Sequence, residues 1–237
     1  MCPKKVNREK KKSLKQKNKS PDFIIDSQFV RRKLLAWYRV HGRDFPWRQT
    51  NNSFHLLIAE MMLRRTKADQ VVRVYQTFTH LFQSPEEAAQ LSLKEIEKLC
   101  RPLGLHYRGS EIYRAIHHLN LHKDAIPDSL EEIPGIGPYS AAMIRSKLFY
   151  GREAAIDSNV VRIIARLSGI PFYHELRRNK NLIAAANHLH QTKHASSVNL
   201  ALIDLAALIC KPAPSCSQCP LQTVCKFDLQ KQNYFIS

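Results

Sequence analysis

Apolar and polar positions follow helical spacing along most of the chain. Between Phe23 and Val40 the residues Phe29, Val30, Leu34, Leu35 and Tyr38 recur three and four apart, which predicts an amphipathic helix. Residues 53–68 carry Leu56, Leu57, Ile58, Met61, Met62 and Leu63 with little polar face, the pattern of a helix buried on all sides. Further helices are predicted from Val71 to Phe82, from Pro85, from Ser92 to Cys100 and from Tyr107 to Leu121. Pro85 suits a first helical turn, where its missing N–H has no partner to lose. No stretch alternates with period two between hairpin turns, and no fixed period repeats. The chain reads as all-α.

The pattern is punctuated at 129–149. Ser129 to Glu132 matches a capping box. The run Ile133-Pro134-Gly135-Ile136-Gly137-Pro138-Tyr139 then leads into a helix with Ala141, Ala142, Ile144 and Leu148 on it. Gly135 and Gly137 permit a turn closed to residues with side chains, and Ile133 and Ile136 anchor it from inside. Backbone N–H groups here, through Ser140, suit a phosphate, although an ordinary helix connection also favours Gly and Pro. Asp157 follows, before a helix with Val160, Val161, Ile164 and Leu167 inward. Its simplest role is an N-cap. Its other role is a carboxylate that steadies a cationic sugar as a base departs.

Charge narrows the partner. Lys and Arg number 37 against 20 Asp and Glu, a net charge of +17. Nine of those basic residues lie in the first twenty, with one Glu, yet the rest of the chain keeps a net charge of +9. Such an excess implies a polyanion, because neutralised phosphates release counterions. Residues 1–20 are too polar to fold alone and read as a disordered arm, either DNA-binding or merely solubilising. A signal peptide's apolar segment is not evident, and no apolar run is long enough for a membrane span. The expectation is a soluble, intracellular monomer without membrane contact, in the cytoplasm or nucleoid of a prokaryote. Cys210, Cys216, Cys219 and Cys225 are spaced C-x5-C-x2-C-x5-C. Four thiols so close together read as a metal site; their single close pair favours a [4Fe-4S] cluster over zinc.

Taken in order, PGIGPY, AAIDSNVVR and the four-cysteine loop resemble the helix-hairpin-helix DNA glycosylase superfamily of endonuclease III and the adenine DNA glycosylases. The likeness covers roughly residues 28–226. It implies a two-domain fold: a basic arm (1–20), an N-terminal helix of the cluster domain (21–42), a six-helix barrel with the hairpin (43–152), and C-terminal helices with the cluster loop (153–237). It also implies double-stranded DNA carrying a mismatched or damaged base as partner, with the target nucleotide flipped out. Asp157 takes the family's catalytic aspartate position. Tyr139 stands where bifunctional members carry the Schiff-base Lys, so base removal by water with little lyase activity is implied.

Tyr139, together with Arg64, Arg65 and Thr66, is similar to the G:T mismatch-specific thymine branch. Glu60 stands where an acid can protonate or hydrogen-bond a leaving base; paired to a nearby Arg, it is only structural. Arg64 or Arg65 fills the gap left by the flipped base or meets the orphaned guanine, and Leu105 lies in the minor groove. The first cysteine spacing is five, where the family usually has six. The chain runs about a dozen residues past Cys225, without the extra domain of many adenine glycosylases. Removal of adenine opposite guanine or 8-oxoguanine is the alternative activity, and non-catalytic damage binding is a third. His188, His190 and His194 do not share a helix face and are expected on the surface.

Overall fold

The structure, a computed structural model, describes residues 25–104, 107–122, 130–170, 176 and 178–227. The basic arm, Phe23, Ser129 and Leu105 lie outside these residues, and with Ser129 the capping box expected there. The described residues form helices and 3₁₀ turns with no strand. None of these helices is long and apolar enough to cross a membrane.

Helix α1 (Ser27–His41) starts at Asp26, whose carboxylate accepts from Phe29 N at 2.9 Å. A single turn, α2 (Pro46–Gln49), precedes α3 (Ser53–Leu63), in which every residue from Phe54 to Met62 is buried. The helix predicted to reach residue 68 stops at Leu63. Its cause lies 44 residues beyond Arg64, where the Arg108 guanidinium donates to the carbonyls of Met61, Met62 and Arg64. A helix end leaves carbonyls orphaned and partly negative, and a buried cation answers both conditions. Arg65 then enters the left-handed region at φ 56° and the chain turns away.

The chain continues through α4 (Ala68–Leu81), the one-turn α5 (Pro85–Ala88), α6 (Leu93–Cys100), α7 (Tyr107–Leu121) and α8 (Pro138–Leu148). A reciprocal capping box of Ser92 and Glu95 opens α6, a signal of the same form as the one read at Ser129. These elements enclose one core, with Leu57, Met61, Phe78 and Ile116 fully buried, and Ile133 and Ile136 plug the hairpin into it. A second core joins α1 to α9 (Ser158–Ser168), α10 (Lys180–Leu189) and α11 (Ala195–Leu208). His188 and His194 are not buried, but His190 is fully so, contrary to the expectation of a surface residue. Its Nδ1 lies 2.7 Å from the Ala186 carbonyl one helical turn back, so it is a core histidine closing α10.

The two cores meet along α8 and α11, where Ala142 and Met143 pack with Ala155, Leu200 and Ile203. Beside this seam, Asp204 of α11 is 0% exposed. Its carboxylate takes two bonds of 2.8 Å from Arg48, one of 2.7 Å from Arg43 Nε and one of 2.8 Å from Arg43 N. Both guanidinium groups lie over the Phe45 ring. Burial works against the Asp204 charge, but the bonds from Arg48 and Arg43 outweigh it and hold the carboxyl below its usual range. Asp204→Asn is therefore expected to lower the stability by about 3–5 kcal/mol at neutral pH, since it strands buried guanidinium charge. A folded pKa below the unfolded value gives stability that is present above about pH 4 and lost as pH falls through the folded value. Urea unfolding at pH 7 and at lower pH should show the gap between wild type and variant closing in acid.

Candidate functional site

A cavity of about 670 Å³ opens where the two cores meet. Its walls come from Trp47 and Arg48 of α2, Glu60 of α3, Tyr139 and Met143 of α8, and Leu200 and Ile203 of α11, with Asp157 and Asn159 at the start of α9. This volume is in the range of small-molecule sites, ample for an extruded nucleotide.

Glu60 is 5% exposed, and among the described residues its carboxyl has no hydrogen bond or ion pair. Arg64, the nearby cation, instead donates to Glu111 at 3.2 Å and to the Gly135 carbonyl at 2.9 Å. The purely structural role for Glu60 thus lacks its partner. Burial pushes this carboxyl up to about 8, so it carries a proton at neutral pH. Tyr139 lines the same cavity as the two acids. Its phenol is pushed well above its usual value by burial, then by Glu60 and Asp157, with Arg48 opposing.

Asp157 is the N-cap of α9. One oxygen accepts from Asn159 N at 2.9 Å and Val160 N at 2.7 Å, and the other from the Asn159 amide at 2.7 Å. The capping and cavity roles coincide, because the helix start that the carboxylate caps is itself part of the cavity wall. Asn159 is fixed in turn by Arg162, which donates to it at 3.0 Å and to the Cys210 carbonyl at 3.0 Å.

The hairpin divides its glycines. Gly135 needs its freedom: φ is 88°, and a Cβ would lie 2.7 Å from Met61. Gly137 sits at φ −107°, and a Cβ there would have nothing within 4 Å. The turn therefore does not require glycine at 137, contrary to the expectation from sequence. The absent side chain instead leaves an open approach to the backbone. Ser140 is buried at 3% exposure and stands with Tyr139 in the first turn of α8. Arg65 is exposed at the cavity rim.

The four cysteines of the C-terminal loop line one small cavity with Arg166 and Phe227. Arg166 donates to Cys210 Sγ at 3.2 Å and to the carbonyls of Lys211 and Pro212. Burial pushes the Cys219 thiol up to about 11, and the other three cysteines add to the rise. Among the described residues, no three His, Cys, Asp or Glu side chains are gathered as for a single metal ion.

Sequence reasoning missed Asp204, Arg43, Arg108 and Asn159. Asp204 and Arg43 are 161 residues apart, and no spacing rule connects them. Asn159 was within reach, since an Asx residue two beyond an N-cap can return its amide to the cap.

Residues 58–199 match the family described as HhH-GPD superfamily base excision DNA repair protein, and the chain belongs to that superfamily. It is 32% identical to a thymine-DNA glycosylase of Aeropyrum pernix, over 83% of this chain and 92% of that protein. An adenine DNA glycosylase of Rattus norvegicus is 29% identical over 86% of this chain, which spans 42% of that protein. The solved structure of a thermostable thymine-DNA glycosylase superposes with a TM-score of 0.77 at 28% identity, covering 86% of this chain and 97% of that one.

The state of Glu60 is open to direct measurement. A folded pKa of about 8 against about 4.3 unfolded means stability that is full below the unfolded value and lost as pH rises through the folded one. Glu60→Gln should flatten the melting temperature between about pH 5 and 8, and exceed wild type in stability above that window.

Proposed function

We propose that this member of the superfamily is a monofunctional DNA glycosylase that removes thymine, and uracil, mispaired with guanine. The observation that carries the proposal is a buried Glu60, without a hydrogen bond or ion pair among the described residues, and a capped Asp157 that share one cavity with Tyr139. The similarity to thymine-DNA glycosylases over most of the chain supports the choice of base. A pocket shaped for thymine rejects uracil weakly, because one missing methyl changes little binding energy.

In this reading the backbone N–H groups at the start of α8 hold a DNA phosphate, with Gly137 leaving room for it. The flipped pyrimidine enters the cavity. As the C1′–N1 bond breaks, its electron pair leaves with the base, and Glu60 gives its proton or a hydrogen bond to a base carbonyl oxygen. The Asp157 carboxylate stabilises the positive charge that develops on the sugar. Water adds at C1′ and yields its proton to Asp157. Tyr139 shapes the pocket and cannot form an imine with the sugar, so strand cleavage does not follow.

Cys210, Cys216, Cys219 and Cys225 are proposed to hold a [4Fe-4S] cluster. Four soft thiol donors around one cavity, with a single close pair in the C-x5-C-x2-C-x5-C spacing, support the cluster over zinc. Bound there, the cluster cross-links the loop and offers a one-electron couple. Chemical analysis of anaerobically purified protein should find about four iron and four acid-labile sulfide per chain, both lost in Cys219→Ser.

The base is tested by single-turnover cleavage of duplexes with one G:T, G:U, A:G or A:8-oxoguanine pair, each with and without hot alkali. Product from G:T and G:U only after alkali is expected. Product from the adenine strand would move the protein to adenine excision, which uses the same two acids. Asp157→Asn should slow the reaction by about 10²–10³-fold. In wild type the rate should fall as pH rises through about 8, where Glu60 loses its proton.

A further inference from the structure

Two segments meet DNA in this reading of the protein: the turn at Arg64 and Arg65, and the hairpin at Gly135. They are remote in sequence but meet at one polar node whose centre, Arg108, is buried. Arg108 is 0% exposed and donates to Met61 O, Met62 O at 3.3 Å, and Arg64 O. Glu111, one turn further along α7, lies 3.8 Å from Arg108 Nε and accepts from Arg64 Nη1 at 3.2 Å. The same Arg64 nitrogen donates to the Gly135 carbonyl. Thr66 Oγ1 donates to Leu103 O at 3.3 Å, and the Gln70 amide donates to Pro102 O.

A buried guanidinium normally answers a carboxylate. This one spends most of its donors on backbone carbonyls, which fixes chain direction. The result is visible at Arg65, held at φ 56°. An L residue keeps such a conformation only where its surroundings over-determine it. Arg64 is committed to Glu111 and Gly135, whereas Arg65 is exposed at the cavity rim.

We infer that Arg108 and Glu111 are positioning residues for base extrusion: they yoke the Arg64–Arg65 turn and, through Arg64, the Gly135 hairpin into one rigid unit. Insertion into the base stack and grip on the phosphate then occur in register. The inference rests on the reading of the protein as a base-flipping glycosylase. A guanidinium is required because a Lys ammonium lacks the planar fork that spans separate carbonyls.

The test compares two substrates with the full-length protein: thymine opposite guanine in a duplex, and thymine already extruded in a one-nucleotide bulge. Arg108→Met should slow cleavage of the paired base by about 100-fold, the effect of misplacing groups by ~1 Å, and of the bulged base by under about threefold. Arg108→Lys should stay close to Arg108→Met. Glu111→Gln, at a partly exposed carboxylate, should show the same asymmetry at about tenfold, and it carries the test if Arg108→Met fails to fold. A 2-aminopurine beside the mismatch should brighten with wild type and much less with either variant. Equal losses on both substrates, or no loss in Glu111→Gln, would overturn the yoke. Wild type cleaving neither substrate would instead refute the thymine glycosylase reading, and the 2-aminopurine response would then decide the yoke alone.

Discussion

A carboxylate sealed from water must be met by donors on every side, and Asp204 meets that demand with residues from outside its own helix. Arg43 and Arg48 belong to the segment that leaves α1 and enters α2, while Asp204 belongs to α11. Satisfying the acid brings the two halves of the molecule together at this point. The cavity is the space that remains beside that junction, and two of its walls are the partners themselves. Lys147 of α8 extends the clamp by donating to the Arg48 carbonyl at 3.0 Å, so the hairpin helix is tied to it too.

Within the cavity, two acids are given opposite characters by their surroundings. Glu60 sits mid-helix among apolar side chains, with no donor to stabilise a charge. Asp157 sits at a helix start, supplied with two N–H groups and an amide. The difference lies in environment and not in residue type. Tyr139, in the same cavity, has its phenol raised by burial first and then by both acids, and stays neutral.

The helical character of the chain was legible because most helices carry an apolar face, and the hairpin because its isoleucines and prolines have few other uses. Asp157 was legible as a cap and as a cavity acid, and it stands in both positions. The end of α3 was not legible, since Leu63 is followed by residues that continue a helix well and the stop is imposed by Arg108 from another helix. The role of Glu60 was half legible: the sequence shows an acid on an apolar helix, but whether a cation meets it depends on Arg64 turning towards Glu111. His190 was not legible as a core residue, because spacing alone says nothing about which helix packs over it. In each case the missing information was a long-range partner.

The hairpin's two glycines record different histories. Gly135 answers to the fold, through its backbone angle and the nearness of Met61. Gly137 answers to nothing inside the molecule, since a side chain there would meet open space. Folding leaves that position free, and in the proposed function its glycine answers instead to the DNA backbone outside, as the one residue that has no shape of its own to hold it off.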